Sequence, residues 1–212
     1  MNLRPSAPKA DALPSCATSR RRLSSLVDTG TVARIRYDEL VETIRSRLPA
    51  CGSTTVVAVD GPSGAGKSDL ADSLARRLGA PVLRVDELVP GWHGLAAMPP
   101  VVARDLLSPI AAGEVATVRR WNWVGDRPGE LVDVLPGPFF VLDGCGSGSR
   151  VIRPYLSMLL WVDAPEEIRR ARAMARDGEV YEPWWDVWAA QERRLFAAEQ
   201  TRAAAEVRLR SA

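Results

Sequence analysis

The chain has 212 residues, which is enough for one α/β domain with a full core and too few for two large domains. Its formal net charge of +2 is close to balance and argues against a general attraction to nucleic acid or to an anionic membrane. The sequence has neither an apolar run of about 18 residues nor the pattern of a secretory signal, so it predicts a cytoplasmic protein without a membrane partner. Cys16, Cys51 and Cys145 share no metal-ligand spacing and are expected to be free thiols.

Residues 1–35 are predicted to be a disordered tail, and residues 36–212 to be one domain. The tail is rich in Pro, Ser and Ala, contains a run of arginines that starts at Arg20, and has little apolar periodicity. An Arg- and Ser-rich start is also typical of an organelle transit peptide, and a basic run can contact nucleic acid. The prolines and the few acidic residues favour a passive extension over both alternatives.

A helix, a strand, a glycine-rich loop and a second helix follow one another at the start of the domain. The first helix is predicted over residues 37–48, with an apolar face formed by Leu40, Val41, Ile44 and Leu48. Residues 54–59 are apolar and β-branched, as in a buried parallel strand, and residues 68–78 repeat apolar side chains at helical spacing. The loop between them has the order Gly, four residues, Gly, Lys and Ser that is typical of a phosphate loop. The sequence therefore predicts nucleotide phosphate binding here, and the alternative is a tight structural turn.

The residue types of this loop match the chemistry of a triphosphate. Glycines let backbone N–H groups gather around a phosphate, and the helix that follows adds the positive end of its dipole. Lys67 is predicted to reach the outer phosphates, and the Ser68 hydroxyl to ligate Mg²⁺. The residues predicted to bind ATP are Gly61, Ser63, Gly64, Ala65, Gly66, Lys67, Ser68 and Asp69.

Two aspartates directly follow predicted strands. Residues 81–85 form a second short apolar run that is followed by Asp86, and residues 138–142 form a continuous apolar run that is followed by Asp143. Ligands of open parallel sheets bind at the carboxyl ends of the strands, which makes Asp86 a candidate for catalysis. Asp143 has the position of a Walker B carboxylate, which holds Mg²⁺, usually through water. A buried strand that happens to end in Asp at a turn is the alternative for Asp143.

The segment between these aspartates predicts a loop, a helix and a hairpin. Residues 89–100 are rich in Pro, Gly and Trp and predict a loop over the site, and residues 100–112 return to helical spacing. Two extended segments, 114–123 and 127–135, are predicted to pair as a hairpin that reaches back to the site.

An arginine-rich helix is predicted over residues 165–176. Arg169, Arg172 and Arg176 recur at i, i+3 and i+7, so they share one helix face. Guanidinium groups match phosphoryl oxygens in a bidentate fashion, which favours an Arg-bearing lid over about residues 165–185. A solvated helix surface is the alternative.

Three more elements complete the predicted domain. Residues 158–162 predict a buried strand before the lid, residues 182–204 a long helix, and residues 206–209 a last strand. The start of the long helix is crowded with tryptophans, which are expected to pack in the core rather than to stack on a ligand: Trp184, Trp185 and Trp188.

The order of these elements predicts an α/β fold of the phosphate-loop NTPase type, in which helices flank a mostly parallel sheet in three layers and an Arg-bearing lid is attached. The sequence lacks the N-K-x-D run of small GTPases and the LSGGQ signature of ABC proteins. A small-molecule kinase or a hydrolase remains. Phosphoryl transfer needs a phosphate loop, a metal carboxylate, a base and neutralising arginines, and the chain has a candidate for each.

Residues 54–180 resemble the uridine kinase-like nucleoside kinases, which belong to the phosphate-loop nucleoside and nucleotide kinases. The resemblance rests on the loop VDGPSGAGKS, on Asp86, on Trp121-Asn122-Trp123 in place of Tyr-Asp-Trp, on FFVLDG and on the lid run RRARAMARDG. The chain is also similar to a group of actinobacterial ATP-binding proteins. The resemblance implies an ATP- and Mg²⁺-dependent kinase in which Asp86 is the general base for a ribose-type hydroxyl and the lid arginines neutralise the transferring phosphoryl group.

Three positions depart from the family pattern. Asp69 stands where Thr or Ser is usual, Val89 where an aromatic residue is expected, and Asn122 where an acid holds ribose hydroxyls. These departures favour an alternative, a nucleotide-binding regulatory protein without turnover.

A nucleoside monophosphate kinase is a further alternative, which needs more basic residues near the acceptor. Arg119, Arg120 and Arg127 are the candidates. In each kinase reading the partner is a small molecule rather than a nucleic acid. The sequence determines neither the identity of the acceptor nor the oligomeric state.

Overall fold

The structure, a computed structural model, describes residues 27–28 and 37–211. The predicted tail therefore lies outside the described residues, apart from the two-residue strand at 27–28. In chain order the strands are β1 (Val27–Asp28), β2 (Thr55–Asp60), β3 (Val82–Arg84), β4 (Ala116–Asn122), β5 (Arg127–Val134), β6 (Phe139–Asp143), β7 (Met158–Asp163) and β8 (Val207–Arg210). One sheet has the order β1-β8-β7-β2-β6-β3, and β4 and β5 form a separate hairpin. Within the sheet β1 is antiparallel to β8, whereas the other neighbours are parallel.

Helices cover both faces of the sheet. They are α1 (Tyr37–Ser46), α2 (Lys67–Leu78), α3 (Met98–Val101), α4 (Ser108–Ala111), α5 (Glu166–Asp177), α6 (Trp185–Glu199) and α7 (Thr201–Ala204), and a π-helical segment, Val102–Leu107, joins α3 to α4. Val57 and Val59 of β2 pack with α1 and α2, whereas Val56 and Ala58 pack with the α3–α4 segment and α6. Every residue of β2 is buried, as expected for a central parallel strand. The predicted three-layer α/β architecture is confirmed.

Two predicted boundaries differ from the structure. The helix predicted over 37–48 ends at Ser46, and Leu48, which was expected on its apolar face, is 85% exposed. Pro49 explains the early end, because the residue before a proline disfavours the helical conformation. The second strand ends at Arg84, so Asp86 lies in a 3₁₀ turn, Val85–Leu88, rather than directly after the strand.

The loop predicted over 89–100 contains more helical structure than expected. A 3₁₀ turn covers Leu95–Ala97, and α3 begins at Met98. Pro99 and Pro100 lie in the first turn of α3, where the missing N–H groups have no helical partner to lose. A proline pair is therefore a weaker loop signal at this position than it is inside a helix.

The hairpin prediction agrees with the structure, whereas the prediction of one C-terminal helix does not. The hairpin is confirmed, with Ala116 paired to Val134 and an irregularity between Arg119 and Trp121. The single helix predicted over 182–204 is wrong, because Gln200 adopts a left-handed conformation (φ 54°) that separates α6 from α7.

Two of the three cysteines lie within the described residues. Cys51 and Cys145 are buried free thiols, as predicted, and Cys16 lies outside the described residues. No helix within 37–211 is both long and apolar enough to cross a membrane.

Candidate active site

The phosphate loop is pressed against the end of β7 and against α5. A Cβ atom on Gly61 would lie 2.0 Å from the carbonyl oxygen of Val162, and one on Gly64 would lie 2.2 Å from that of Arg169. Both glycines have positive φ angles, 139° and 77°, which other residues rarely adopt. Gly66 is also left-handed and precedes Lys67, the first residue of α2. Glycine is thus required here by close packing as well as by backbone conformation.

A buried aspartate that the sequence analysis missed joins this loop to the segment after β6. The Asp60 carboxylate accepts hydrogen bonds from the backbone N–H groups of Gly61 at 2.6 Å, Gly146 at 2.9 Å and Gly148 at 2.8 Å. Burial disfavours its charge and raises its pKa to about 6, although the three N–H groups act in the opposite direction. Its sequence signal was the same as that of Asp143, an acid at the end of a buried strand.

Lys67 lies in a buried pocket behind the loop. Its Nζ donates to the carbonyl oxygen of Pro62 at 3.0 Å and contacts the Cys145 sulfur at 3.6 Å. Burial opposes the ammonium charge, but the nearby acids Glu192 and Asp143 favour it, and the pKa of Lys67 is raised. Lys67 is therefore held in the protonated form, which would suit binding of phosphate oxygens.

Cys145 is a packing thiol in this pocket rather than a reactive one. Its sulfur lies 2.9 Å from Glu192 Oε1 and 3.1 Å from the Gly61 carbonyl oxygen, and its single S–H group donates to one of them at a time. Burial raises the pKa of Cys145 well above its usual value, and the Glu192 charge adds to the effect.

Glu192 of α6 is the second buried acid that the sequence analysis missed. Its side chain is almost fully buried, and Oε1 accepts hydrogen bonds from the Ser63 amide at 2.8 Å and the Ser63 hydroxyl at 2.6 Å. The indole N–H of Trp188 donates to the same oxygen at 2.9 Å. A signal existed in the sequence, because Glu192 follows Trp185, Trp188 and Ala189 at the spacing of one helix face.

Asp143, the predicted metal carboxylate, is buried and oriented by an arginine. Arg84 of β3 donates to Asp143 Oδ2 at 2.6 Å and to both carboxylate oxygens of Asp72 on α2 at 2.9 and 3.1 Å. The other oxygen of Asp143, Oδ1, is buried without a hydrogen-bond partner. Ser68 is half-buried in the first turn of α2, one turn before Asp72. An oxygen with unused acceptor capacity fits a role in holding hydrated Mg²⁺.

Asp86, the predicted base, lies in the 3₁₀ turn after β3, and its residue is exposed, yet the surrounding protein disfavours its charge. This desolvation, followed by repulsion from Asp143 and Glu87, raises the pKa of Asp86 to about 6, while Lys67 and Arg176 partly oppose the rise. The Asp86 backbone also lies beside Gly144, which follows Asp143: a Cβ atom on Gly144 would be 3.6 Å from the Asp86 nitrogen. Asp86 is thus near Asp143 and within reach of the Lys67 charge, and the region between these groups is called the cleft below.

The lid arginines divide into two groups. Arg169 donates to the carbonyl oxygens of Ala164 at 3.0 Å and Ser63 at 3.3 Å, so it holds α5 to the phosphate loop. Arg172 contacts the Gly64 carbonyl at 3.4 Å and donates to the Ser211 hydroxyl at 2.8 Å. Both side chains therefore bind the backbone of the loop.

Arg176 lies at the other end of α5, and its charge influences Asp86. It pairs with its neighbour Asp177 at 2.6 Å, and its side chain is half exposed. Burial opposes its charge, but Asp177 and then Asp86 raise the pKa of Arg176.

An aromatic cluster lies beside Asp86. It consists of Trp92, Trp123, Tyr181, Trp184 and Trp188, with Trp92 in the middle: its ring centroid is 4.9 Å from Trp123, 5.4 Å from Tyr181, 5.5 Å from Trp184 and 6.0 Å from Trp188. The Trp123 indole N–H donates to the backbone carbonyl of Asp86 at 3.3 Å. Trp185 and Trp188 are buried, as predicted, whereas Trp92, Trp123 and Trp184 are only partly buried.

Comparisons with known proteins support the architecture. No protein family model and no curated protein matches the sequence. A possible uridine kinase from Bacillus stearothermophilus is 19% identical with a TM-score of 0.61, and the match covers 82% of this chain and 97% of that one. A protein from Silicibacter sp. TM1040, provisionally assigned as a fructose transport system kinase, is 16% identical with a TM-score of 0.53, covering 80% and 95%. The chain has the fold of the phosphate-loop kinases. At these identities the likeness concerns the fold alone.

The three departures from the nucleoside kinase pattern have local structural explanations within this phosphate-loop kinase fold. Asp69 is exposed on α2. Val89 is fully buried in the hydrophobic core. Asn122 accepts a hydrogen bond from the Gly125 amide at 2.8 Å and so stabilises the hairpin turn.

Proposed function

We propose that the protein is an ATP- and Mg²⁺-dependent kinase that transfers the γ-phosphoryl group to a hydroxyl of a nucleoside-like or other small metabolite. The observation that carries the proposal is the position of Asp86 beside Gly144, next to Asp143 and close enough to Lys67 and Arg176 for their charges to affect its raised pKa. A base and the groups that bind phosphates are the two halves of a phosphoryl-transfer site.

Each group has a role that its surroundings support. Asp86 orients the acceptor hydroxyl and takes its proton, and Lys67 with the loop amides binds the outer phosphates. Ser68 and Asp143 would hold Mg²⁺, which neutralises phosphate charge when bound. Arg176 faces the transferring group, while Arg169 and Arg172 keep α5 against the loop. In this proposal, cations on two sides neutralise the charge of the phosphoryl group that is transferred.

The names of the two fold neighbours support kinase activity but differ on the acceptor, since one suggests a nucleoside and the other a sugar. Both acceptors are polyols, so a hydroxyl acceptor is the part of the proposal that they share. The proposed acceptor is therefore a small hydroxyl compound.

The test is to incubate the protein with MgATP and a panel of nucleosides, sugars and other small alcohols, and to follow ADP formation. One or more acceptors should stimulate ADP release, and Asp86→Asn should abolish the stimulation while MgADP binding persists. A protein that binds MgADP but shows no acceptor-stimulated ADP release with any compound would contradict kinase activity.

A nucleotide-binding protein without turnover is the second candidate, and the Arg84–Asp143 contact favours it. This arginine occupies one oxygen of the carboxylate that would hold the metal. Asp86→Asn separates the two candidates, because in a non-catalytic binder there is no acceptor-stimulated ADP release to lose and MgADP binding should be unchanged.

The monophosphate kinase alternative has less support. Arg119 donates to the Gly129 carbonyl, and Arg120 pairs with Glu87 and Glu130, so two of its candidate residues are engaged within the hairpin region. Comparing UMP and CMP with uridine and cytidine as acceptors tests it directly.

A further inference from the structure

Glu192 joins two parts of the cleft, the phosphate loop and the aromatic cluster. Its Oε1 accepts hydrogen bonds from the amide and the hydroxyl of Ser63, which belongs to the loop. The same oxygen accepts a hydrogen bond from Trp188, which belongs to the aromatic cluster. Because both residues share one acceptor atom, a shift of either donor changes the hydrogen bonding of the other.

The aromatic cluster continues from Trp188 to the proposed base. Trp188 packs edge-on against Trp92 at 6.0 Å and against Trp123 at 6.2 Å. Trp123 in turn donates to the backbone carbonyl of Asp86. A ligand that displaces Trp92 or Trp123 beside Asp86 therefore also changes the packing around Trp188.

The buried position of Glu192 requires a hydrogen-bond acceptor. Glu192 is 2% exposed, and burying a charge is costly unless donors surround it. Here the Ser63, Trp188 and Cys145 donors all point at Oε1, and Lys67 lies just beyond the Cys145 sulfur. An apolar side chain would leave the Ser63 amide and the Trp188 indole unpaired inside the protein.

We propose that Glu192 is a positioning residue that couples the acceptor side of the cleft to the phosphate loop. Rearrangement of the aromatic cluster changes the hydrogen bond from Trp188, which alters the anchoring of Ser63 and hence the affinity of the loop for phosphates. This inference rests on the proposed function for its premise that the loop binds a nucleotide. Coupling is reciprocal, so a bound nucleotide changes the affinity for the acceptor by the same factor.

The test is a double-mutant cycle read out as MgADP affinity by isothermal titration calorimetry, which needs neither an acceptor nor turnover. Trp188→Phe keeps an aromatic ring but removes the indole donor, and Glu192→Met keeps the length of the side chain but removes the acceptor. Trp188→Phe should weaken MgADP binding about 3- to 10-fold in the wild-type background and less than about 2-fold in the Glu192→Met background. A structural role without coupling would give equal factors in both backgrounds.

Two further variants keep the test decisive. Trp161→Phe is the matched control, because Trp161 lies outside the aromatic cluster and its buried indole N–H has no hydrogen-bond partner in the described structure, so this variant should leave MgADP affinity within about 2-fold. If Glu192→Met does not fold by circular dichroism, Glu192→Gln replaces it, and its weaker, neutral acceptor should at least halve the Trp188→Phe effect. Equal Trp188→Phe effects in both backgrounds, or none in the wild type, would overturn the coupling alone. A folded wild-type protein that binds no MgADP would overturn both the coupling and the proposed function.

Discussion

At the scale of single residues, the surroundings of Asp86 raise the pKa of its carboxyl group. Asp86 remains accessible to a substrate, yet its pKa is raised to about 6 because protein surrounds the cleft and because Asp143 and Glu87 repel its charge. A base with a pKa near the operating pH is both largely deprotonated and a competent proton acceptor. A fully solvated aspartate would be a much weaker base.

Turnover should therefore depend on one ionisation of Asp86. Because the base must be deprotonated, kcat/KM should rise with pH and level off above about 6, and Asp86→Asn should lower kcat about 10²- to 10⁴-fold with MgADP affinity retained. Acceptor-dependent ADP formation between about pH 5 and 8 measures both effects. Asp186→Asn, an exposed change on α6, is the control and should retain turnover. An unchanged inflection near pH 6 in residual Asp86→Asn activity would assign the base elsewhere.

The sequence predicted the candidate site residues that a motif or a strand end places, and it missed those that reach the candidate site only through long-range contacts. Lys67, Asp86 and Asp143 were recognisable because a loop pattern or a strand end places them. Arg84 and Glu192 were not, because each reaches the site across the fold: Glu192 lies 129 positions after Ser63. Only tertiary packing brings such pairs together, although an acid on the buried face of α6 was a local hint.

At the scale of secondary structure elements, the phosphate loop and α5 form one packed unit. Arg169 and Arg172 bind loop carbonyls, and Gly64 leaves no room for a side chain against the Arg169 backbone. The arginine face of α5 was predicted to close over phosphates, but two of its three side chains instead fix the distance between loop and helix. This arrangement makes the loop shape depend on the seating of α5.

Gly64→Ala should consequently impair nucleotide binding. Its Cβ would lie 2.2 Å from a backbone oxygen, so the loop or α5 must move, and MgADP affinity should fall at least about 10-fold, a loss of about 1.4 kcal/mol. Titration calorimetry measures the loss. Gly79→Ala is the matched control, since Gly79 is also left-handed but a Cβ there meets nothing within 4 Å. It should cost on the order of 1 kcal/mol of stability and leave MgADP affinity unchanged. Equal affinities for both variants would show that the loop tolerates the displacement.

Arg84 links three elements at the edge of the site. It comes from β3 and pairs with Asp143 of β6 and Asp72 of α2, and its own side chain is one-third exposed. Arg84→Met should lower the free energy of unfolding by about 2 kcal/mol, less than for a fully buried pair, because it leaves the Asp143 carboxylate buried without its cation. Urea denaturation measures the change.

The control for Arg84 is Arg104→Met. Arg104 pairs only with the adjacent Asp105 in the described structure and is 72% exposed, so its loss should cost clearly less stability than the loss of Arg84. A similar cost for both variants would mean that the Arg84 contacts contribute no more than a surface ion pair does.

At the scale of the whole molecule, the fold concentrates acids at one edge of the sheet. The parallel strands β2 and β6 end in Asp60 and Asp143, and Asp86 follows β3 in the next turn. The carboxyl ends of parallel strands meet at one edge, which is why the α/β pattern alone located the cleft. The exact turn that carries Asp86 did not follow from the pattern, because a one-residue difference in strand length is below what periodicity resolves.

This concentration of acids should lower the free energy of unfolding as pH rises. The raised pKa values of Asp60 and Asp86, both about 6, mean that the folded state holds protons that the unfolded state releases near pH 4. The free energy of unfolding contributed by these groups is therefore fully present below about pH 4 and is lost as pH rises to about 6. The Asp86 carboxylate, the proposed base, is thus expected to lower the stability of the protein at neutral pH.

Asp86→Asn tests this at the level of the folded chain, because it removes one of these ionisations. Relative to the wild type, this variant should gain stability as pH rises from about 4 to 7, which appears as an increase in the free energy of unfolding measured in urea. Asp105→Asn provides a control of opposite sign, since the hydrogen bond from Arg104 lowers the pKa of Asp105. That variant should lose stability relative to the wild type as pH rises through the acidic range, where the folded Asp105 ionises first. If the Asp86→Asn difference stays constant across this range, the raised pKa of Asp86 has no basis in the folded protein, and its suitability as a base at neutral pH falls with it.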